Sequence, residues 1–454
     1  MKYTSIYIFS FLAVVLCSYT ACSQKTKPAT ALPIKKNLTD QQLLNLVEKQ
    51  TFQYFWDGAE PNSGLARERY HIDGDYELND KNVVATGASG FGVMAIIAAI
   101  DRHYISREAG FKRLQKSVDF LEKADRFHGV WPHWMYGETG KVKPFGRNDD
   151  GGDLVETAYL AQGLICVRQY FVNGNKAEHQ LAAQINRLYK GIEWDWYRNG
   201  GKNVLYWHWS PNVGWKMNFP LEGYNECLIT YIMAAASPTH GIPAEVYHEG
   251  WARSGGINTN ANMYGFPIKL KHNGTQNGVG GLFWSQYSYL GLNPKGLTDR
   301  YANYWNEVRN HTLINHAYCV DNPKHYKGYG DDCWGLTASY SVYGYSGHSP
   351  SNDLGVITPT AALASYPYTP KESMKMIRHI YEDLGNKVWG KYGFYDAFSE
   401  TANWYPKRYL GIDQGPIVVM IENGRSGLLW NLFMSSPEVK DGLKKLDFKS
   451  PYLK

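Results

Sequence analysis

The sequence predicts an all-α protein that forms an (α/α)6 toroid, a double ring of inner and outer helices. Helical apolar periodicity extends from about residue 37 through most of the 454-residue chain. Two kinds of helix alternate along it. Charged, amphipathic helices fit an outer ring, whereas helices of small and apolar residues need cover on most sides and fit an inner ring. No Pro/Ser-rich linker interrupts residues 37–454, so we predict a single catalytic domain there; a tandem of two smaller helical domains is the alternative.

The predicted helices follow in order. The amphipathic, outer-ring helices are predicted at residues 40–56, 107–124, 177–197, 298–316 and 370–388. The mostly apolar, inner-ring helices are predicted at residues 83–100, 153–171, 222–236, 332–339, 354–364 and 412–422. Several inner helices start with acidic or polar residues. If helix direction alternates, these starts lie on one rim, where the helix N-termini favour negative charge.

The N-terminal segment predicts an exported lipoprotein. Residues 1–22 combine Lys2, an apolar stretch and small residues, as in a lipoprotein signal peptide. The segment from Tyr19 to Ser23 resembles a lipobox in which Cys22 is the lipidation site, although Tyr19 departs from the usual Leu. Residues 23–36 form a polar linker. We therefore expect a periplasmic or outer-membrane protein, held to the membrane through a lipid anchor only and monomeric.

The amino-acid composition indicates which classes of binding partner the protein can have. The formal net charge is +5 without a long Lys/Arg block, which argues against nucleic acid as a partner. The chain holds 15 Trp and 35 Tyr, which suit either an aromatic core or the stacking of sugar rings in a groove. Cys166 and Cys227 lie in apolar helical patterns, as core thiols do. Cys319 and Cys333 flank a polar loop, and the sequence does not decide whether they pair.

The densest group of carboxylates runs from Asp149 to Glu156. It places four acidic residues within eight positions, where a loop is predicted to become a helix. Such carboxylates repel one another unless a cation, sugar hydroxyls or a catalytic proton offsets the repulsion. A calcium site is the main alternative, but the segment lacks the spacing of an EF-hand loop. No CxxC or His-x-x-x-His spacing suggests zinc, and we expect no metal and no cofactor.

Two further acids stand in apolar surroundings. Glu226 lies next to Tyr224 and Cys227, and Asp413 lies between Ile412 and Pro416. An acid in such a place either pairs or has a raised pKa, and a raised pKa suits the general acid of a glycoside hydrolase. The remaining candidate acids are Asp149, Asp153, Glu156, Glu222, Asp331 and Asp332. The last two fit a helix cap or a solvated charge better.

Aromatic residues cluster in the predicted loops. Closely spaced Trp residues on loops favour sugar stacking over a purely structural role. The candidates for binding sugar are Trp131, His133, Trp134, Trp207, Trp215 and Trp404. A hydrogen-bonded structural histidine is the alternative for His133.

Several motifs together resemble a known family. They lie at residues 51–57, 64–69, 84–92, 149–156 and 222–226. The combination is similar to glycoside hydrolase family 144, the "glucoamylase-like" proteins of Bacteroidetes, over nearly all of residues 38–437. The resemblance implies an (α/α)6 fold and hydrolysis of β-1,2-glucan with inversion. Members either cut within the chain or release sophorose from an end.

The resemblance also implies roles for the acidic residues. Glu226 matches the general acid. Asp413 matches the general base, acting on water directly or through a bridging water or substrate hydroxyl. Asp149, Asp153 and Glu156 match an acidic trio in the substrate pocket. A non-catalytic glycan-binding lipoprotein and a polysaccharide lyase on a similar toroid are the alternatives; the lyase requires a Tyr or His base and an acidic sugar.

Overall fold

The computed structural model describes residues 32–76, 80–275 and 278–454, which belong to one compact unit. The predicted signal peptide, Cys22 and most of the linker therefore lie outside the described residues. Among the described residues, no helix has the length and apolar character needed to cross a bilayer.

Helices dominate the secondary structure. In chain order they are α1 (Asp40–Trp56), α2 (Thr86–Asp101), α3 (Arg107–Lys123), α4 (Leu154–Phe171), α5 (Lys176–Lys190), α6 (Leu228–Ala236), α7 (Tyr304–Asp321), α8 (Pro359–Leu363), α9 (Pro370–Glu382), α10 (Gly385–Val388), α11 (Gly411–Arg425), α12 (Leu428–Ser435) and α13 (Pro437–Lys445). The predicted division into two kinds is confirmed for α2, α4, α5 and α9. Helices α5 and α9 bury one face, whereas α2 and α4 are buried along nearly their whole length.

The centre of the molecule is the contact between α2 and α4. Helix α2 also packs against α11, and α4 packs against α5, α6 and α12. Glycines make the central contact possible, because a Cβ on Gly90 would lie 2.3 Å from the Tyr159 carbonyl oxygen. A Cβ on Gly163 would lie 2.1 Å from the Gly90 carbonyl oxygen. The two backbones thus touch where a larger residue would hold them apart.

One predicted helix is wrong, and several boundaries shift. Residues 332–339 form no helix; they run as irregular chain into a strand that begins at Ala338. Gly335 has a φ of +129°, and the Leu336 amide donates to Asn315 Oδ1 at 3.0 Å, so the backbone bonds to α7 instead of to itself. The helix predicted from residue 222 begins only at Leu228, and the one predicted to reach residue 197 ends at Lys190.

The helices are accompanied by short strands that an all-α fold does not include. They are β1 (Arg69–His71), β2 (Val83–Ala85), β3 (Trp134–Tyr136), β4 (Val142–Lys143), β5 (Gly152–Asp153), β6 (His208–Trp209), β7 (Asn262–Met263), β8 (Phe266–Pro267), β9 (Ala338–Ser341), β10 (Gly344–Gly347), β11 (Trp389–Gly390), β12 (Gly393–Phe394) and β13 (Arg408–Leu410). All pair antiparallel, in the combinations β1–β13, β2–β3–β4, β5–β6, β7–β8, β9–β10 and β11–β12. Strands β1, β3, β9, β10 and β13 contribute residues to one large cavity.

The four described cysteines are buried free thiols, which confirms the prediction for Cys166 and Cys227. Cys319 and Cys333 are also unpaired.

Candidate active site

A cavity of about 1110 Å³ opens among the loops and short strands. Its lining combines acidic, basic and aromatic side chains. The predicted site residues that line it are His133, Trp134, Glu156, Trp207, Glu226 and Trp404. Such a mixture of aromatic faces and charged groups suits a ligand that has apolar faces and polar edges.

Glu226 lies in the turn just before α6, two residues ahead of Leu228. Its own carbonyl accepts hydrogen bonds from Ser288 Oγ at 2.6 Å and from the Tyr159 hydroxyl at 3.4 Å, which hold the turn in place. Burial raises the pKa of the Glu226 carboxyl to about 7, and the nearby charge of Glu156 adds to the shift. The side chain therefore keeps a proton near neutral pH while it faces the cavity.

Asp153 caps α4 and is fully engaged by its neighbours. Its carboxylate accepts from the Glu156 amide, from Trp207 Nε1 and from His133 Nδ1, each at 2.9 Å. Although burial opposes the charge, the hydrogen bond and positive charge of His133 lower the pKa of Asp153. Asp153 is thus a structural anion that orients one Trp and one His of the cavity wall.

His133 and Glu156 are linked by charge. Burial opposes protonation of His133, but the charges of Glu156 and Asp153 raise its pKa to about 9. Burial raises the pKa of Glu156 to about 7, against the opposing charge of His133. Glu156 Oε2 also accepts from the Gly87 amide at 2.6 Å, where a Cβ would collide with the carboxylate. The cavity wall at this point carries a cation between acidic groups.

Asp149 lies behind the wall. It is buried, and its Oδ1 is 3.4 Å from His208 Nδ1. Neither Asp149 nor Asp153 belongs to the cavity lining. Of the predicted acidic trio, only Glu156 faces the cavity directly.

The same region contains a possible set of metal ligands. One ligand atom from each of His133, Asp149 and Asp153 lies within 4.8 Å of the other two. Two of these side chains are already hydrogen-bonded to each other, because His133 Nδ1 donates to the Asp153 carboxylate at 2.9 Å, and Trp207 Nε1 donates to the same carboxylate at 2.9 Å. The calcium site considered from the sequence stays a prediction for this segment.

Asp413 lies in the first turn of α11 and is fully buried. Burial and the neighbouring carboxylate of Asp396 raise the pKa of Asp413 well above that of an ordinary aspartate. Burial also raises the pKa of Asp396 to about 6, and its Oδ2 accepts from the Tyr340 amide at 2.9 Å. Tyr287 lines the cavity and lies beside Asp413. Two acids thus share one buried site immediately behind the cavity wall.

The predicted tryptophans divide between the cavity and the core. Trp134, Trp207 and Trp404 line the cavity. Trp131 is fully buried, donates from Nε1 to the Leu121 carbonyl at 3.1 Å and lies under the Arg126 guanidinium. Trp215 packs against other aromatic rings away from the cavity lining. Trp131 and Trp215 therefore act in packing, because close spacing in sequence does not fix which way a loop Trp points.

Several cavity residues were missed from the sequence. The β9–β10 hairpin contributes Tyr340, Tyr343 and Tyr345, and Tyr343 at the turn is 86% exposed. Alternating Tyr residues around Gly344 are typical of a hairpin, but the incorrect helix at 332–339 obscured that pattern. Asp396 also went unnoticed, since a single Asp among aromatic residues carries no local signal.

The family model described as "Putative glucoamylase" matches residues 218–437. The chain is 47% identical over 443 residues to an "Exo beta-1,2-glucooligosaccharide sophorohydrolase (non-reducing end)" of Parabacteroides distasonis. That match covers 93% of the chain but only 59% of the relative, so the chain spans little more than half of this relative's length.

Two solved structures extend the comparison. An endo-β-1,2-glucanase from Chitinophaga pinensis, in complex with sophorotriose and glucose, is 68% identical with a TM-score of 0.91. The match covers 92% of the chain and all of that structure. An endo-β-1,2-glucanase from Talaromyces funiculosus, solved with β-1,2-glucan, is 12% identical with a TM-score of 0.62 over 91% of the chain and 93% of its own. This distant likeness concerns the fold alone.

Proposed function

The chain belongs to the glucoamylase-like proteins of glycoside hydrolase family 144, and we propose that it hydrolyses β-1,2-glucan with inversion of the anomeric centre. The observation that carries the proposal is Glu226, a carboxyl that faces a cavity of about 1110 Å³ and has a pKa of about 7. A carboxyl that is protonated near neutral pH can donate to a glycosidic oxygen. Cleavage either occurs within the chain or releases sophorose from an end.

In this proposal Glu226 protonates the leaving oxygen while Asp413 accepts a proton from the attacking water, directly or through a bridging water or substrate hydroxyl. A base must be deprotonated when it acts. The Asp396–Asp413 pair favours holding one proton at neutral pH, because two buried carboxylates side by side repel each other. Asp413 therefore acts as a base when that proton resides on Asp396.

The remaining wall residues hold the sugar. Trp134, Trp207 and Trp404 offer aromatic faces to pyranose rings, and the His133 imidazolium donates to hydroxyl groups. Asp153 fixes His133 and Trp207 from behind, so its contribution is to their orientation.

We also propose that the helices complete the (α/α)6 double ring. In support, α2, α4 and α11 contact one another in succession as buried helices, while α1, α3 and α5 pack outside them.

The experiment compares two glutamates of the same loop. Glu226→Gln should lower turnover of linear β-1,2-glucan by about 100- to 10,000-fold, because the amide carries no acidic proton. Glu222→Gln is the matched control, since Glu222 is half-exposed and paired with Arg253. Both variants should unfold at nearly the wild-type temperature.

Turnover, binding and the products formed distinguish this function from the alternative functions. Full turnover by Glu226→Gln contradicts the assignment of the acid. Absence of turnover by the wild type, with binding retained, favours a glycan-binding protein. Unsaturated, ultraviolet-absorbing ends indicate a lyase. Cleavage of cyclic β-1,2-glucan, which has no ends, identifies action within the chain.

A further inference from the structure

A second cluster of side chains of the types that bind metals lies outside the cavity lining. Cys333 follows α7 along the chain, His379 is in the last turn of α9, and Glu400 is in the turn between β12 and β13. One ligand atom from each of the three lies within 4.8 Å of the other two. None of them lines the candidate active site.

The Cys333 thiol has no hydrogen-bonding partner among the residues that the structure describes. Cys333 is 0% exposed. Its sulfur lies within 4.8 Å of a His379 ring nitrogen and of a Glu400 carboxylate oxygen. A bound cation would give this buried sulfur the partner that it lacks.

The surrounding charge is negative. Asp383 Oδ2 and Asp332 Oδ2 lie 3.0 Å and 4.0 Å from His379 Nδ1. In the described parts of the chain, no Lys or Arg forms an ion pair with Glu400, Asp332 or Asp383. The adjacent Asp331, by contrast, is paired with Lys375. Three carboxylates therefore converge on one histidine without a basic partner.

The backbone makes room for the carboxylate. Gly328 has a φ of +88°, and a Cβ there would lie 2.2 Å from Glu400 Oε1. The 328–333 loop is joined to the Glu400 turn by a hydrogen bond from the Lys327 amide to Thr401 Oγ1 at 2.8 Å. The main chain of these two segments thus sets the position of the Glu400 carboxylate.

We infer that Cys333, His379 and Glu400 bind a zinc ion, with Asp332 or water in the fourth position. Thiolate, imidazole and carboxylate together are a typical zinc donor set. Bonds of about 2.0–2.3 Å place tetrahedral ligand atoms roughly 3.5 Å apart, so a small inward movement of the side chains completes the site. Binding converts the thiol to a zinc thiolate and releases its proton to solvent.

The site would brace part of the cavity wall. Glu400 lies in a turn closed by two hydrogen bonds between the main chains of Ser399 and Trp404, both at 2.9 Å. Trp404 lines the cavity. Zinc would therefore fix this turn to α9 and to the 328–333 loop. No sequence motif predicts this site, because the three donors lie in distant segments and no two of them share a motif.

The test uses the chelator-treated protein re-equilibrated with zinc chloride and freed of excess metal. The wild-type protein should retain about one zinc ion per chain, as measured by elemental mass spectrometry. Its unfolding temperature should be higher than that of the chelator-treated protein. Cobalt in place of zinc should give the near-ultraviolet sulfur-to-metal absorption of a thiolate complex. Cys333→Ser should abolish that absorption and the retained zinc.

His316→Gln is the matched control, because His316 lies 3.2 Å from Asp331 and has no thiol in its cluster. This variant should keep the zinc and the cobalt spectrum. If Cys333→Ser does not fold, His379→Gln takes its place, because His379 is partly exposed. This variant should also lose the retained zinc and the cobalt absorption. Absence of retained zinc in the wild type overturns the inference, and so does equal zinc retention by wild type and both ligand variants.

Discussion

At the scale of single residues, the cavity depends on carboxyl groups that keep their protons to unusually high pH. Burial raises the pKa of Glu226 and of Glu156 to about 7. Asp396 and Asp413 form a second such pair behind Tyr287. A protonated carboxyl carries no charge. Fewer charged groups therefore lose their hydration when a neutral sugar enters the cavity.

Asp396→Asn tests the buried pair. Removing the carboxylate beside Asp413 should lower the pKa of Asp413, so the acidic limb of kcat/KM against pH should move to lower pH. The plateau rate should also fall, because Asp413 becomes a weaker base. Asp353→Asn is the control: Asp353 is buried and accepts from the Tyr318 and Tyr329 hydroxyls, away from the cavity. If the acidic limb of the kcat/KM profile lies at the same pH in wild type and in Asp396→Asn, Asp396 and Asp413 do not share a proton.

His133 makes stability depend on pH. Its pKa is raised from 6.5 to about 9 in the folded protein. The contribution of its charge is therefore fully present below about pH 6.5 and disappears as pH rises through about 9. His133→Gln should cost on the order of 2 kcal/mol at neutral pH. The difference in unfolding temperature from wild type should shrink above pH 9, and a difference that stays constant with pH would show that the contribution is not electrostatic.

At the scale of secondary-structure elements, the contact between α2 and α4 depends on residues without side chains. Gly90 and Gly163 lie at the points where the two backbones meet. The neighbouring α11 then packs on α2 and carries Asp413 at its start. A change in the spacing of α2 and α4 would therefore reach both Glu156 and Asp413.

Gly90→Ala should destabilise the protein by about 3 kcal/mol or more, because the new methyl group meets backbone atoms that cannot move independently. Gly146→Ala is the control, since nothing lies within 4 Å of a Cβ there. Urea unfolding of both variants provides the measurement. Equal free energies of unfolding for Gly90→Ala and Gly146→Ala would show that α2 and α4 can move apart without loss of stability.

The sequence was sufficient to locate the long helices, although the α5 and α7 boundaries differ from the prediction by up to seven residues. The α1 boundaries were predicted to the residue, and α3, α4 and α11 differ by only a few residues. The 332–339 helix failed because its backbone bonds to α7 and to other segments, which local periodicity does not report. The strands contain two to four residues each, too few for an alternating pattern to be recognised. These strands nevertheless build much of the cavity wall.

At the scale of the whole molecule, the cavity joins residues from almost the full length of the described chain, from Glu68 to Ile412. Sequence reasoning from apolar surroundings singled out Glu226, and the structure places it in the wall. It did not separate Trp134 and Trp207, which face the cavity, from Trp131 and Trp215, which pack elsewhere. That distinction depends on how distant loops meet, and Asp396 was missed for the same reason.

The most direct test of the proposed mechanism is the anomeric form of the first products released from linear β-1,2-glucan, followed by proton NMR in the first minutes of reaction. Inversion by Glu226 and Asp413 predicts that the new reducing ends appear as the α-anomer and then equilibrate. New reducing ends that appear first as the β-anomer would contradict it, because retention requires a nucleophile and a covalent intermediate.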